Sequence, residues 1–167
     1  MDDNGADKSS ADSTIELSGP ITQASATKVI ARLLFAEKLG QSGEITIQMD
    51  SPGGEINPSF AILETIRELK PLPAVVARNA GGSAIALFVA CRPGWRILHE
   101  GAVLQFAAVT SSDALIDPTQ PAQALAKAIA SCTRATSEQV ELWLNNNYRM
   151  AASEALALGF CDGLHRA

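Results

Sequence analysis

Two short stretches of the 167-residue sequence hold groups that could do covalent chemistry together: residues 79–90, NAGGSAIALFVA, and residues 51–54, SPGG. In the first, the apolar run 74–77 meets Gly81, Gly82 and Ser83, and a second apolar run follows. A strand that turns into a helix within a few residues needs backbone freedom, which residues without a Cβ supply. Ser83 then falls on the first helical turn. Unpaired N–H groups and the positive end of the helix dipole favour a serine oxygen or a developing oxyanion there. The plainer role for such a serine is to cap a buried helix, and GGS is less specific than a full nucleophile-elbow pattern. What sharpens the pattern is the second glycine loop. A glycine-lined loop that points backbone N–H groups at a serine on a helix N-terminus is the arrangement an acyl-transfer oxyanion hole requires.

Both loops must therefore lie at one edge of the fold, and the order of elements gives that edge. IELS at 15–18 reads as a short strand closed by Gly19 and Pro20. A helix follows that Ser25 can cap, with Val29, Ile30, Leu33, Leu34 and Leu39 near a 3.6-residue period before Gly40. EITIQMD at 44–50 alternates as a strand with one buried face and runs into SPGG. Asn57 as cap and Pro58 in the first turn open the next helix, whose stripe is Phe60, Leu63, Ile66 and Leu69; Pro71 and Pro73 end it. Residues 74–78 form a strand and the Ser83 helix follows. Strand, helix, strand, helix, strand, helix with short connections predicts an α/β domain with a mostly parallel sheet and right-handed crossovers. In such a sheet SPGG and NAGGS share the carboxyl edge, where ligands bind.

Beyond Cys91, RPGW turns the chain into two short strands, 96–99 and 102–106, around Glu100 and Gly101. Residues 109–121 are polar and loop-like, 120–147 favour one long helix or two, 153–158 a last short helix, and 160–165 a final strand. Net charge is −5 with 19% charged residues, so no basic patch points to nucleic acid. The apolar runs are far short of the roughly 20 residues of a membrane span. The first fourteen residues, MDDNGADKSSADST, are polar without the apolar core of a secretory signal and are expected to form a disordered acidic tail. Cys91, Cys132 and Cys161 are odd in number and far apart, as expected of reduced thiols in a cytoplasmic protein. There is no internal repeat, no metal-type Cys/His spacing and no phosphate-cradling loop, so neither a metal nor a cofactor is expected.

LSGPIT at 17–22, LLFAE at 33–37, SPGG at 51–54, GGSA at 81–84 and EALALGFCD at 154–162 resemble, in order and spacing, the proteolytic subunit of the Clp protease family, serine peptidases whose fold is shared with the crotonases. The resemblance covers residues 15–165. It implies one Clp-protease-like domain over 15–167, built as a superhelix of repeated β-β-α and βαβ units with a mostly parallel sheet and a handle region at 106–147, here shortened. It maps the family nucleophile onto Ser83 and the oxyanion loop onto Gly53 and Gly54, with Ala84 supplying a further backbone N–H. The family's base histidine falls on Phe106 and its aspartate on Asn147. Phenylalanine accepts no proton, and an amide cannot stabilise an imidazolium.

Substitute bases are poor. His99 would lie about seven residues back along the same strand, on the order of 20 Å away at strand rise, and His165 is close to the chain end. Lys28, Lys38, Lys70 and Lys127 read as solvated helix residues. The expectation is a non-catalytic or very weakly active homologue that keeps the serine and oxyanion loop; the alternative is an active hydrolase of the family with a non-standard base. The apolar Leu125, Ile129, Val140, Leu142 and Trp143 exceed what the handle region could bury against its own domain. A homo-oligomer of ring type, or mixing with active Clp subunits, is therefore expected, with a peptide or acyl group as possible ligand. A polar tail in place of the family's axial loop and first helix speaks against docking of an AAA+ unfoldase.

Overall fold

The computed structural model describes residues 13–108 and 119–166. The tail expected over 1–14 lies mainly outside them, and so does most of the loop expected over 109–121. In chain order the elements are β1 (Thr14–Ser18), α1 (Gln23–Lys38), β2 (Thr46–Ser51), α2 (Ile56–Glu68), β3 (Ala74–Gly81), α3 (Ser83–Ala90), β4 (Arg96–His99), β5 (Val103–Gln105), α4 (Thr119–Ala130), α5 (Ser137–Asn145), β6 (Arg149–Ala151), α6 (Ala152–Ala157) and β7 (Gly163–His165). One 3₁₀ turn, Ser42–Glu44, precedes β2. The sheet runs β1-β2-β3-β4-β7, all parallel, and β5 branches off to join β3 and the antiparallel β6. This is the mixed α/β architecture with a mostly parallel sheet that the element order predicts.

One sheet face is apolar and covered by helices: Ile15, Leu17, Ile47, Met49, Val75, Ala77 and Leu98 are all buried there. Period-two alternation sends Glu16, Gln48, Arg78 and His99 to the other face, where with Asp50 and His165 they line an open polar cleft of about 340 Å³. Parallel sheets are usually covered on both faces. Among the described residues this face is open and mainly polar, with Val76 and Ile97 half-buried beside Glu16, Gln48, Arg78 and His99.

Helix α3 is buried on all sides, from Ser83 to Ala90. Its sequence has no polar face to offer water, which is why it runs through the centre between α2 and α4. Such side chains as Phe88, Leu87 and Ile85 each contribute roughly 1.5–3 kcal/mol by leaving water. The nucleophile-like serine therefore sits at the start of the most firmly packed helix of the fold.

Several local expectations are corrected. Thr22, not Ser25, caps α1; Ser25 is its reciprocal partner three residues on, each side-chain oxygen taking the other's backbone N–H. The buried stripe of α1 is Ala26, Val29, Leu33 and Ala36, while Leu34 and Leu39 are exposed. Helix α2 starts before Asn57, with Glu55 as the flanking residue. Of the one or two helices expected over 120–147 the structure forms two, α4 and α5, as the pattern allows. Leu125, Ile129 and Val140 are fully buried within the chain, so of the apolar set expected to need a partner only Leu142 stands exposed. The described helices of the handle region fold back on their own domain, with α4 packed on α3 and α5.

Candidate active site

The strand β3 ends at Gly81, and Gly82 makes the turn with φ +47° and ψ −122° before α3 begins at Ser83. A side chain would be strained in that conformation, which accounts for glycine at the elbow. The loop after β2 is pinned from three directions. The Ser51 hydroxyl donates to Gly19 O (2.7 Å), Ile21 N–H donates to Gly53 O (2.9 Å), and Glu55 N–H donates to Ile21 O (2.9 Å). Gly53 has φ +86°, and a Cβ on it would meet Gly81 O and stand 2.9 Å from Ser83 N. A Cβ on Gly54 would collide with the backbone of Ile21. The two glycine loops are thus in backbone contact, brought together as the shared sheet edge predicts.

Ser83 is 2% exposed. Its Oγ accepts the Gly54 N–H (3.2 Å) and lies 2.7 Å from Ser59 Oγ. Ser59, also buried, stands in the first turn and a half of α2 and donates its hydroxyl to Glu55 O (2.7 Å). A serine hydroxyl has one hydrogen. Since that of Ser59 is spent on Glu55 O, the hydrogen between the two serines belongs to Ser83. The proton of Ser83 therefore enters a chain from Ser83 to Ser59 to Glu55 O that ends on a backbone carbonyl and contains no titratable group.

The remaining expected site residues are placed as follows. Gly54 N–H points at Ser83, but the N–H of Gly53 is committed to Ser51 Oγ (3.1 Å), so Gly53 shapes the loop and offers no donor toward the serine. Ala84 follows Ser83 in the first turn of α3, fully buried. Phe106 is fully buried too, its ring 5.3 Å from Trp143, 5.9 Å from Phe160 and 6.3 Å from Tyr148, centroid to centroid. Its backbone is close to the elbow: Gln105 O accepts the Gly82 N–H (2.9 Å), and Phe106 N–H donates to Tyr148 O (2.8 Å). Asn147 is exposed, at φ +50° in the turn between α5 and β6, and its carbonyl accepts a hydrogen bond from Gln105 Nε2 (3.1 Å). Positions 106 and 147 are thus neighbours through the backbone around β5, and neither carries an ionisable side chain.

His99 is not on the same strand as Phe106. Strand β4 pairs with the first half of β3, the chain turns at residues 100–102, and β5 pairs with the last residues of β3. His99 lies on the open face of the sheet against His165, ring centroids 4.8 Å apart, whereas α3 packs on the covered face. Lys28, Lys38, Lys70 and Lys127 are all exposed, and Lys70 lies just past the end of α2 rather than on a helix. No group of three or more His, Cys, Asp or Glu among the described residues is arranged to hold a metal. Sequence reasoning missed Ser59. The signal was there: it is the polar residue at helical spacing within the buried set Ile56, Ser59, Ile62, Leu63 and Ile66.

A serine at a strand-to-helix elbow, faced by a glycine loop at the carboxyl edge of a parallel sheet, defines the frame of a serine hydrolase of α/β class. The pattern of the Clp protease family matches residues 5–167, and the chain belongs to that family. It is 27% identical over 162 residues to ATP-dependent Clp protease proteolytic subunit 1 of Chlamydia trachomatis, covering 90% of this chain and 84% of that protein. It is 28% identical over 163 residues to proteolytic subunit 2 of Leifsonia xyli, covering 90% and 73%, and 24% identical over 165 residues to the proteolytic subunit of Leuconostoc citreum, covering 92% and 82%.

Proposed function

We propose that the chain is a proteolytic-subunit homologue that has kept the serine and the glycine loop of a peptidase site and is non-catalytic or very weakly active. The observation that carries this reading is the hydrogen-bond chain of Ser83. A serine becomes a nucleophile when a base takes its proton in the transition state; here the proton is directed to Ser59 Oγ, which relays to a carbonyl. Phe106 supports the reading, because its position beside the elbow is filled by a ring locked among three other aromatics. The four lysines of helices α1 and α4 and the α2 end do not favour a lysine base. A catalytic lysine needs desolvation to lower its pKa, and these are exposed.

In this reading the protein contributes a subunit instead of a reaction. It assembles with copies of itself or with active Clp subunits in the cytoplasm, and the old cleft at the sheet edge is left for a peptide or acyl group. Its relatives bear the name of subunits of an ATP-dependent protease. The exposed Leu34 and Phe35 on α1, with Leu39 just past its end, offer an apolar surface for self-association. No helix of the described residues is long and apolar enough to cross a membrane. The test is a fluorophosphonate probe with peptide mapping, beside a fluorogenic peptide assay. Ser83 is expected to label no faster than a surface serine. Stoichiometric labelling at Ser83 within minutes, together with peptide cleavage lost in Ser83→Ala, would overturn the reading.

A further inference from the structure

A second chemically equipped site lies away from the serine, between the α4–α5 turn and the α6–β7 turn. Arg96 lies within electrostatic reach of all three cysteines there. Arg96 Nη1 donates to Val89 O (3.4 Å) and to Cys132 O (3.0 Å), while Nη2 and Nε hold Asp162 at 2.6 and 2.8 Å. Asp162 also takes the Gly94 and Arg96 N–H groups. Cys91 and Cys161 stand on the inner side of this cluster, both almost wholly buried. Cys132 is half-buried and lines an open cleft of about 440 Å³ with Cys161, Arg96, Arg134 and Asp162, within the size range of small-molecule sites.

The charges in the cleft do not cancel. Arg96 and Asp162 form an ion pair, but Arg134 takes part in none of the ion pairs among the described residues. Its Nη1 donates to Ala157 O (3.1 Å), which fixes the guanidinium at the cleft, and Gly159 leaves room for its stem. The cleft is thus lined by a half-buried cysteine and by an arginine that joins no ion pair among the described residues.

We propose that this cleft is a thiol-modification site, in which Cys132 exchanges with a small disulfide bearing carboxylates and Arg134 holds one of those carboxylates. In the step, Cys132 gives its proton to solvent and its sulfur bonds to one sulfur of R–S–S–R. The reagent's S–S bond breaks, and the second half leaves as a thiolate that takes a proton from solvent. The products are Cys132–S–S–R and R–SH, so the disulfide is its own oxidant and electrons balance. A planar guanidinium recognises a carboxylate through paired N–H donors. The other two thiols do not compete: Cys91 is 1% exposed and Cys161, though it borders the same cleft, only 2%, and burial pushes their thiols up to about 12 and about 11.

The reduced full-length protein is treated with 5,5′-dithiobis(2-nitrobenzoate), which carries two carboxylates, and with cystamine, which carries two ammonium groups. Each rate is normalised to that reagent's rate with a free cysteine peptide. The wild type is expected to release one equivalent rapidly from the carboxylate reagent, with a normalised preference over cystamine of about tenfold or more. Peptide mapping should place the adduct on Cys132. Arg134→Gln should reduce the preference severalfold and Arg134→Lys should retain much of it. Equal normalised rates for the two reagents in the wild type, a fast phase mapped to Cys91 or Cys161, or an unchanged preference in Arg134→Gln would each overturn the proposal. The first two readouts use the unmutated protein and so do not depend on a variant's folding.

Discussion

Replacing Ser83 by alanine should destabilise the protein, because its hydroxyl holds buried groups together. The change removes the acceptor of the Gly54 N–H, a donor in a loop that the backbone hydrogen bonds Ile21 N–H to Gly53 O and Glu55 N–H to Ile21 O hold in place. An unsatisfied buried donor costs about 1–3 kcal/mol. Ser59→Ala should cost less, about 1 kcal/mol, since Glu55 O keeps the Ser59 N–H (3.2 Å) and only the Ser83 hydroxyl loses its acceptor. In the double variant that hydroxyl is gone, and the remaining orphan is the Gly54 N–H. Its cost should therefore equal that of Ser83→Ala alone, giving a coupling of about 1 kcal/mol in the cycle. Urea unfolding at fixed protein concentration measures all four corners, and each kcal/mol should move the thermal midpoint by about 2–4 °C for a domain of this size. A Ser83→Ala variant as stable as its parent, or more stable, would refute the reasoning. It is the outcome for a serine held in strain for catalysis, whose removal relaxes the site.

Three further outcomes follow from the same contacts. Phe106→His should cost about 1–3 kcal/mol by placing a polar ring where Phe106 now packs against Trp143 and Phe160, without conferring peptidase activity; with Asn147→Asp beside it, hydrolysis of an activated ester should rise above background, and no rise would remove position 106 as the site of a base. Asp162 is held below the usual carboxylate range chiefly by its hydrogen bonds with Arg96. A depressed carboxylate stabilises the fold above its unfolded pKa of about 3.9 and loses that contribution as pH falls toward the folded value. Urea midpoints measured from pH 5 downward should therefore fall less steeply in Asp162→Asn, which should also cost about 2–4 kcal/mol at pH 7 by stranding Arg96. Phe35→Ser, on the exposed side of α1, should lower the assembly state in native mass measurement with little change in monomer stability.

What the sequence made legible follows from how local each signal is. The succession of strands and helices, the glycine elbow before Ser83 and the meeting of SPGG with NAGGS at one sheet edge were readable because glycines stand at fixed distances from apolar runs. Helix boundaries drifted by a few residues where two polar residues competed for one role, as Thr22 and Ser25 did at α1. The handle misled more seriously. Leu125, Ile129 and Val140 look like a surplus of apolar area until α4 is folded onto α3, and only three-dimensional packing shows that their partner is the same chain. Cys91, Cys132 and Cys161, far apart in sequence, share Arg96 for the same reason. Spacing alone does not disclose that β4 and the β7 approach bring Asp162 under that guanidinium.

In the proposed reading two features separate this site from a working one, Phe106 and the hydrogen bond of Ser83 to Ser59, and together they make one more demand on experiment. If only the base were missing, supplying an imidazole and a carboxylate would complete the machinery. With Ser59 in place, the Ser83 proton already has an acceptor 2.7 Å away, and the new imidazole must compete with it. The Gly54 N–H is occupied as well, by Ser83 itself, so one donor of the expected oxyanion hole is filled in the resting state. Removing the Ser59 hydroxyl frees the Ser83 side chain to rotate and to give up both contacts. The triple variant Ser59→Ala, Phe106→His, Asn147→Asp should therefore hydrolyse an activated ester faster than the double variant that retains Ser59, and Ser83→Ala should abolish the gain. Equal rates for the double and triple variants would mean that Ser59 only caps a buried hydroxyl and does not restrain it.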